Sequence, residues 1–162
     1  MSSEALQVTP DEFRSACGRF ATGVTIATVL DSQGSPHGLT VSSFTSVSLE
    51  PPLVLICLGH AVTMIDSFRA SKYFGINILA TGQQEISERF ARKGFDRFNG
   101  LAWTPGTTGV PFIPGALAAI ECEIEQRVTA GDHDVLIGRM LRAQVTEGEP
   151  LLHFAGAYRE IA

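Results

Sequence analysis

The residues best suited to touch a ligand lie between His37 and Leu58, HGLTVSSFTSVSLEPPLVLICL. Thr40, Ser42, Ser43, Thr45, Ser46 and Ser48 broadly alternate with Leu39, Val41, Phe44, Val47 and Leu49, a pattern that gives extended chain one wet and one dry face. Short hydroxyls let a ligand approach the backbone closely while still offering hydrogen bonds. After Pro51-Pro52 comes a near-continuous apolar strand, Leu53 to Leu58. Its end at Cys57-Leu58, with Thr63 beyond, would form one wall and a helix N-terminus suited to phosphate. Arg89, Arg92 and Lys93 close a later helical segment and would supply counter-charge. Together these groups would hold a flat anionic ligand. The same residues also fit a serine-rich edge strand and a basic helix end that only complements its dipole.

Those residues sit in a chain of 162, 44% hydrophobic and 18% charged, which argues for a folded domain rather than disorder. One domain, residues 1–162, is the simplest reading, and it would bury roughly two-thirds of its unfolded surface. A net charge of −5 speaks against general nucleic-acid binding, which needs clustered Lys and Arg. Cys17, Cys57 and Cys122 are far apart, inside apolar segments, and form no CxxC or Cys/His cluster. Buried free thiols in a reducing cytosol are expected, not disulfides or zinc. The first residues, MSSEALQVTPDEF, lack the basic and apolar regions of a signal peptide. No apolar run approaches ~20 residues, so no membrane span is expected and the chain reads as soluble and cytoplasmic.

The positioning elements follow in order. Thr9-Pro10-Asp11-Glu12 predicts a capped helix start, with Phe13, Ala16, Cys17 and Phe20 at helical spacing and an end near Gly18 to Gly23. Gly23 to Val29 is β-branched and alternating, a first strand, and Asp31 to Gly34 is its hairpin turn. Thr63 is placed to cap a helix carrying Met64, Ile65, Phe68 and Ala70. Tyr73 to Leu79 is a short strand with Asn77 polar inside an apolar run, and Gln83 to Arg92 is helical again. Gly94 to Gly115, rich in Gly, Pro and Thr, predicts a long ordered loop that covers something or carries function. Ala118 to Glu125 alternates apolar with acidic residues; Gly131 to Asp134 is a turn, Val135 to Met140 the hairpin partner, and Leu151 to Ile161 a final strand. Strands dominate and no βαβ rhythm is present. The fold expected is mainly β with peripheral helices, an antiparallel barrel rather than a doubly wound sheet.

Several chemistries have no support. The chain contains no GxGxxG opening a helix, no GxxxxGK[ST], no HExxH and no GxSxG. His37, His60, His133 and His153 have unrelated spacings, so no metal site is expected.

Taken in order, the segments resemble the short-chain flavin reductases, the reductase components of two-component flavin-dependent monooxygenases, built on the FMN-binding split barrel. The resemblance runs from about Phe13 to Tyr158. It is carried by Arg19-Phe20-Ala21-Thr22-Gly23-Val24-Thr25, by His37 to Leu49 with Pro51-Pro52-Leu53-Val54, and by Gly75-Ile76-Asn77-Ile78-Leu79. Ser87-Glu88-Arg89-Phe90-Ala91, Gly131-Asp132-His133 and Pro150-Leu151-Leu152 complete it.

The resemblance implies an NAD(P)H:flavin oxidoreductase, with FMN or FAD as acceptor and NADH or NADPH as hydride donor. It implies that the flavin ring lies against Thr40, Val41, Ser42, Ser43 and Phe44, that Cys57, Leu58 and Thr63 line the same site, and that Phe90, Ala91, Arg92 and Lys93 lie near the phosphate. The Gly-Asp-His turn would bring His133 to the nicotinamide as a positioning residue, with His153, Phe154 and Gly156 as its neighbours. The alternative for His133 is a solvent-facing turn histidine. Many relatives carry Asn where this chain has Ser42, a shorter hydrogen-bonding group. A homodimer and a partner monooxygenase that receives reduced flavin are also implied. The alternative from another class is a flavin- or haem-binding split-barrel protein without turnover, acting in electron transfer or as a carrier.

Overall fold

The computed structural model describes residues 7–162. Helix α1 (Pro10–Cys17) forms the expected capping box: Thr9 Oγ1 accepts from the Glu12 amide at 3.2 Å, and the Glu12 carboxylate accepts from the Thr9 amide at 2.8 Å. Its apolar stripe is not buried. No residue of α1 is buried, Phe13 is 62% exposed, and Phe20 lies beyond the helix end. Cys17 is also exposed and Cys57 half-buried, so of the three thiols only Cys122 is buried as expected. Burial pushes the Cys122 thiol up to about 12 and keeps it protonated.

The strands are β1 (Thr22–Gly23), β2 (Thr25–Leu30), β3 (Pro36–Val41), β4 (Thr45–Ser48), β5 (Leu53–Gly59) and β6 (Tyr73–Ile78), followed by β7 (Thr104–Pro105), β8 (Pro111–Phe112), β9 (Ala118–Ala130), β10 (His133–Val145), β11 (Leu152–Phe154) and β12 (Ala157–Arg159). Helices α2 (Ile65–Ala70) and α3 (Gln84–Ala91) flank β6 in sequence. Seven strands form one sheet in the order β3-β2-β6-β9-β10-β5-β4, every neighbouring pair antiparallel. The mainly β fold with peripheral helices is therefore present. The ladder does not close into a complete barrel: β3 and β5 approach one another without a backbone pairing.

Two hydrophobic cores explain the residue pattern. On β5, Val54, Ile56 and Leu58 alternate into an inner core with Val29, Phe68, Phe74, Ile76 and Leu136. A second core on the other face gathers Val24, Ile26, Leu79, Phe90, Phe98 and Ile113. β2 lies between the two and is buried on both sides, which is why it reads as a continuous apolar run. β10 crosses the inner core at Gly138, where a Cβ would fall 2.5 Å from the Phe74 ring. Only glycine fits there.

The segment Gly94–Gly115 covers the outer core, and it carries β7 and β8 rather than being loop throughout. Three strand residues hold it down. Thr28 Oγ1 donates to Pro111 O at 2.7 Å; the Ile113 amide donates to Asn77 Oδ1 at 2.8 Å; the Thr108 amide donates to Glu121 Oε1 at 2.7 Å. This accounts for the polar Asn77 in its apolar run. Glu121, expected on a wet face, is 1% exposed. Its bonds to Thr108 hold the carboxylate below its ordinary value despite burial.

Two further expectations are corrected. The β9–β10 hairpin is longer than Ala118 to Met140, because the turn is reduced to Gly131-Asp132 and both strands run on past the sheet. The final strand is instead a hairpin, β11–β12, turned by Ala155 and Gly156 at φ 50° and 79°.

Candidate functional site

The hydroxyl run does not face one way. Thr40 lies on β3, and its Oγ1 donates to Ser87 O of α3 at 2.5 Å. Ser42 is exposed just beyond β3. Ser43 turns to β5: its Oγ accepts from the Cys57 amide at 2.9 Å and donates to Cys57 O at 3.2 Å. That side chain continues the β4–β5 pairing beyond Thr45–Leu55, so its hydroxyl is already committed.

Two adjoining cavities open where β3 meets α3. The first, about 220 Å³, is lined by Thr40, Ser42, Ser87, Ala91, His153 and Tyr158. Tyr158 OH is 2.8 Å from Ser87 Oγ, and its ring stands edge-on to His153 at 5.7 Å. The second, about 180 Å³, shares Thr40 and Ala91 and adds Val62, Thr63, Lys93 and Arg97, with Phe90 behind. A volume of this order suits part of a cofactor-sized ligand, with an aromatic and hydroxyl end and a cationic end.

Arg97 is the group that sequence reasoning missed. It is 8% exposed. Its Nε donates to Arg92 O at 2.9 Å, and Nη1 donates to Gly38 O at 2.7 Å and to the Met64 sulfur at 3.3 Å. Among the described residues no carboxylate pairs with it. Burial alone holds the guanidinium below its ordinary value. Its nitrogens are satisfied by backbone carbonyls and the Met64 sulfur, while among the described residues its charge has no carboxylate partner. Its only signal was a position in the long loop, in Asp96-Arg97-Phe98. Ser87 lies in a quoted motif and Tyr158 ends the resemblance, but neither had a local pattern marking it as lining.

Of the expected site residues, Thr40, Ser42, Thr63, Phe90, Ala91, Lys93 and His153 come together around these cavities. His153 was expected with Phe154 and Gly156 as a neighbour of His133 at the nicotinamide; it lines the first cavity with Thr40 and Ser42. Phe154 pairs with Ala157 away from both cavities, and Gly156 borders a shallow depression with Arg14 and Arg19. Val41 and Leu58 are buried in the inner core and Phe44 packs against it, so they back the cleft without lining it. Cys57 meets Ser43 through its backbone. Arg92 faces a different cavity, about 470 Å³, on the exposed side of α3 with Glu85, Glu88 and Arg89. That larger cavity mixes both charges and gathers none of the hydroxyls. Thr63 does not cap α2: Met64 holds the cap position without a side-chain bond.

His133 does not line the cavities. It sits half-exposed on the β9–β10 turn, with Nδ1 2.7 Å from Asp132 Oδ1, and its register partner is Gly59. The turn is fastened to the cavity wall from behind. The His60 amide donates to Asp132 O at 2.9 Å, and His60 Nε2 is 2.8 Å from Asp134 Oδ1. Asp134 also accepts from Arg69 Nε at 2.7 Å and from Thr129 Oγ1 at 3.1 Å. Arg69, then His60, hold its carboxyl down at about 2. The next residues, Ala61, Val62 and Thr63, line the second cavity. Among the described residues no His, Cys, Asp or Glu cluster could hold a metal, and no helix is long and apolar enough to cross a membrane.

Fold and cleft together give a mainly antiparallel β-protein with adjoining cavities that have a hydroxyl-lined end and a cationic end. The family model for the flavin reductase like domain matches residues 17–162, and the chain belongs to that family. It is 43% identical over 131 residues to a probable flavin reductase of Rhizobium meliloti (strain 1021), covering 81% of this chain but 42% of that protein. It is 39% identical over 162 residues to HsaB of Rhodococcus jostii (strain RHA1), a reductase subunit of a flavin-dependent monooxygenase, covering 99% of this chain and 82% of that one. The NADH:FAD oxidoreductase SgcE6 of Streptomyces globisporus C-1027, solved with NAD and FAD fragments, superposes with a TM-score of 0.89 at 38% identity, over 96% of both chains.

Proposed function

We propose that this protein reduces FMN or FAD with a hydride from NADH or NADPH and hands the reduced flavin to a partner monooxygenase. The observation that carries the reading is the composite cleft: Thr40 and Ser42 hydroxyls, Ser87 and Tyr158 at one end, and Lys93 with the buried, carboxylate-free Arg97 at the other. These residues fit a flavin. The two cations would hold its phosphate, and the hydroxyl end would border the ring.

A bound flavin supplies the hydride acceptor, which no side chain of this protein can be. The protein supplies position and field. Donors on the pyrimidine side stabilise the negative charge that builds there, and Ser42 is free to donate, whereas Ser43 is not. The Phe90 and Val24 floor excludes water from one side. His133 is proposed to position the nicotinamide from the β9–β10 turn, with no proton transfer required of it. The His60–Asp134 contacts keep that turn in fixed relation to Ala61, Val62 and Thr63.

A homodimer is part of the proposal. Leu49, Val145 and Val47 are 85%, 82% and 47% exposed, and Ser48 pairs with Leu53 while the Met140 amide donates to Pro52 O, so β4 and the far end of β10 flank the same end of β5. Such apolar groups on unpaired edges are expected to be covered. A monomer in sedimentation equilibrium at micromolar concentration would remove this part. For the reaction, aerobic NADH oxidation followed by absorbance should depend on added flavin. Absence of oxidation with and without flavin sinks the reductase reading and leaves the non-catalytic flavin or haem binder.

A further inference from the structure

Beyond the cationic end of the cleft lies a third cavity, about 280 Å³, which shares Thr63 and Arg97 with the second. Three cavities thus lie side by side, the first two meeting at Thr40 and Ala91 and the last two at Thr63 and Arg97. The guanidinium is fixed from both sides, by Gly38 O of β3 and by Arg92 O after α3. Those bonds orient the guanidinium, so an anion at this junction would meet a prepositioned cation.

The third cavity differs in chemistry from the first two. Its walls are Phe95, Met64 and Phe98 on the apolar side and His37, Ser67 and Asp96 on the polar side. Phe95 is 46% exposed and stands between this cavity and the 470 Å³ cavity beside α3, so one edge of a large ring is open to each. An aromatic face beside hydrogen-bonding groups takes a base and sugar: the ring stacks on the base, and a carboxylate accepts from an amino or hydroxyl group. Asp96 uses Oδ1 to accept from the Phe98 amide at 3.0 Å, leaving Oδ2 for such a donor. Asp31, 3.0 Å from His37 Nε2, orients that imidazole on the cavity wall.

We infer that this chain selects FAD over FMN, with the diphosphate at Arg97 and the adenylate half in the third cavity. The inference rests on the flavin reading of the cleft. FMN ends at the phosphate and would leave the third cavity, and Phe95, uncovered. The same adenosine diphosphate group also occurs in NADH. The adjacency of the third cavity to the hydroxyl-lined pair favours the flavin's copy, since one extended ligand would span all three.

The test is a fluorescence-quenching titration of the full chain with riboflavin, FMN and FAD, without nicotinamide. The expected result is FAD binding at least about tenfold tighter than FMN, the size of one base–aromatic stack. Phe95→Ala, at an exposed position, should bring FAD to within about twofold of FMN and leave FMN itself unchanged. Equal affinity for FMN and FAD in the unaltered protein overturns the inference while the flavin reading stands. So does a Phe95→Ala variant that weakens FMN and FAD alike. If Phe95→Ala raises the KM for NADH and leaves the FAD-to-FMN ratio unchanged, the cavity serves the nicotinamide dinucleotide and the inference is overturned. If no flavin binds at all, the cleft reading and the inference fall together.

Discussion

The Ser43 hydroxyl bridges the Cys57 backbone, 2.9 Å from its nitrogen and 3.2 Å from its oxygen, and so ties the connection between β3 and β4 to β5. Ser43 lies between β3 and β4, so its side chain continues the β4–β5 pairing two residues beyond Thr45–Leu55. The cleft begins one residue away, at Ser42.

Ser43→Ala removes both bonds and leaves the half-buried Cys57 amide and carbonyl without that partner. The expected loss is about 1–2 kcal/mol, roughly 3–6 °C in melting temperature. Thermal unfolding checks it. Flavin affinity should fall as well, since the β3 end is then less fixed. Unchanged stability would mean that the backbone closes without the serine.

Lys93→Ala is expected to weaken FMN binding by about five- to tenfold and leave riboflavin binding unchanged, because only FMN carries the phosphate. Added salt should narrow the difference, since Lys93 is exposed and its charge is screened. An equal loss for both flavins would place Lys93 away from the phosphate.

His133→Ala is expected to raise the KM for the nicotinamide several-fold, on the order of 1 kcal/mol, with flavin affinity nearly unchanged. Steady-state kinetics with a parallel flavin titration separates the two. The reverse pattern would move this residue out of the nucleotide site.

Asp134 makes a prediction about acid. Its carboxyl is held at about 2 in the folded protein by Arg69 and His60, against about 3.9 in an unfolded chain. A depressed carboxyl contributes stability that is fully present above the unfolded value and is lost as pH falls through the folded one. The protein should therefore lose stability between about pH 4 and pH 2. Asp134→Asn should start less stable and show a smaller loss across that window. The single tryptophan, Trp103, packs edge-on against Phe98 at 6.2 Å in the outer core and gives a fluorescence signal for unfolding.

Much of the fold was legible because it is local. The Thr9–Glu12 box, the β2–β3 hairpin at Asp31–Gly34 and the strand Tyr73–Ile78 depend on residues within a few positions, and all are present. Errors came where the answer depended on distant chain. Phe13 carries helical spacing, yet among the described residues it is left 62% exposed. Glu121 has the alternation of a wet face, yet the long loop folds over it. The turn at Ala155-Gly156 needs positive φ at both residues, and alanine there gives no warning.

The sequence alone determined the mainly β character, the lack of phosphate-loop, metal and dinucleotide motifs, and the ordered motifs of the flavin reductase family. Only the tertiary structure decided which polar groups are free. Ser42 and Ser43 are adjacent and alike, but one opens on the cleft and the other is used by Cys57, fourteen residues on. Arg97 is an ordinary loop arginine until it reaches Gly38, fifty-nine positions away, and is buried there without a carboxylate. Periodicity fixes which face of a strand a side chain occupies. It does not fix what lies opposite that face, and the partner opposite determines whether a hydroxyl or a charge is satisfied within the fold or left for a ligand.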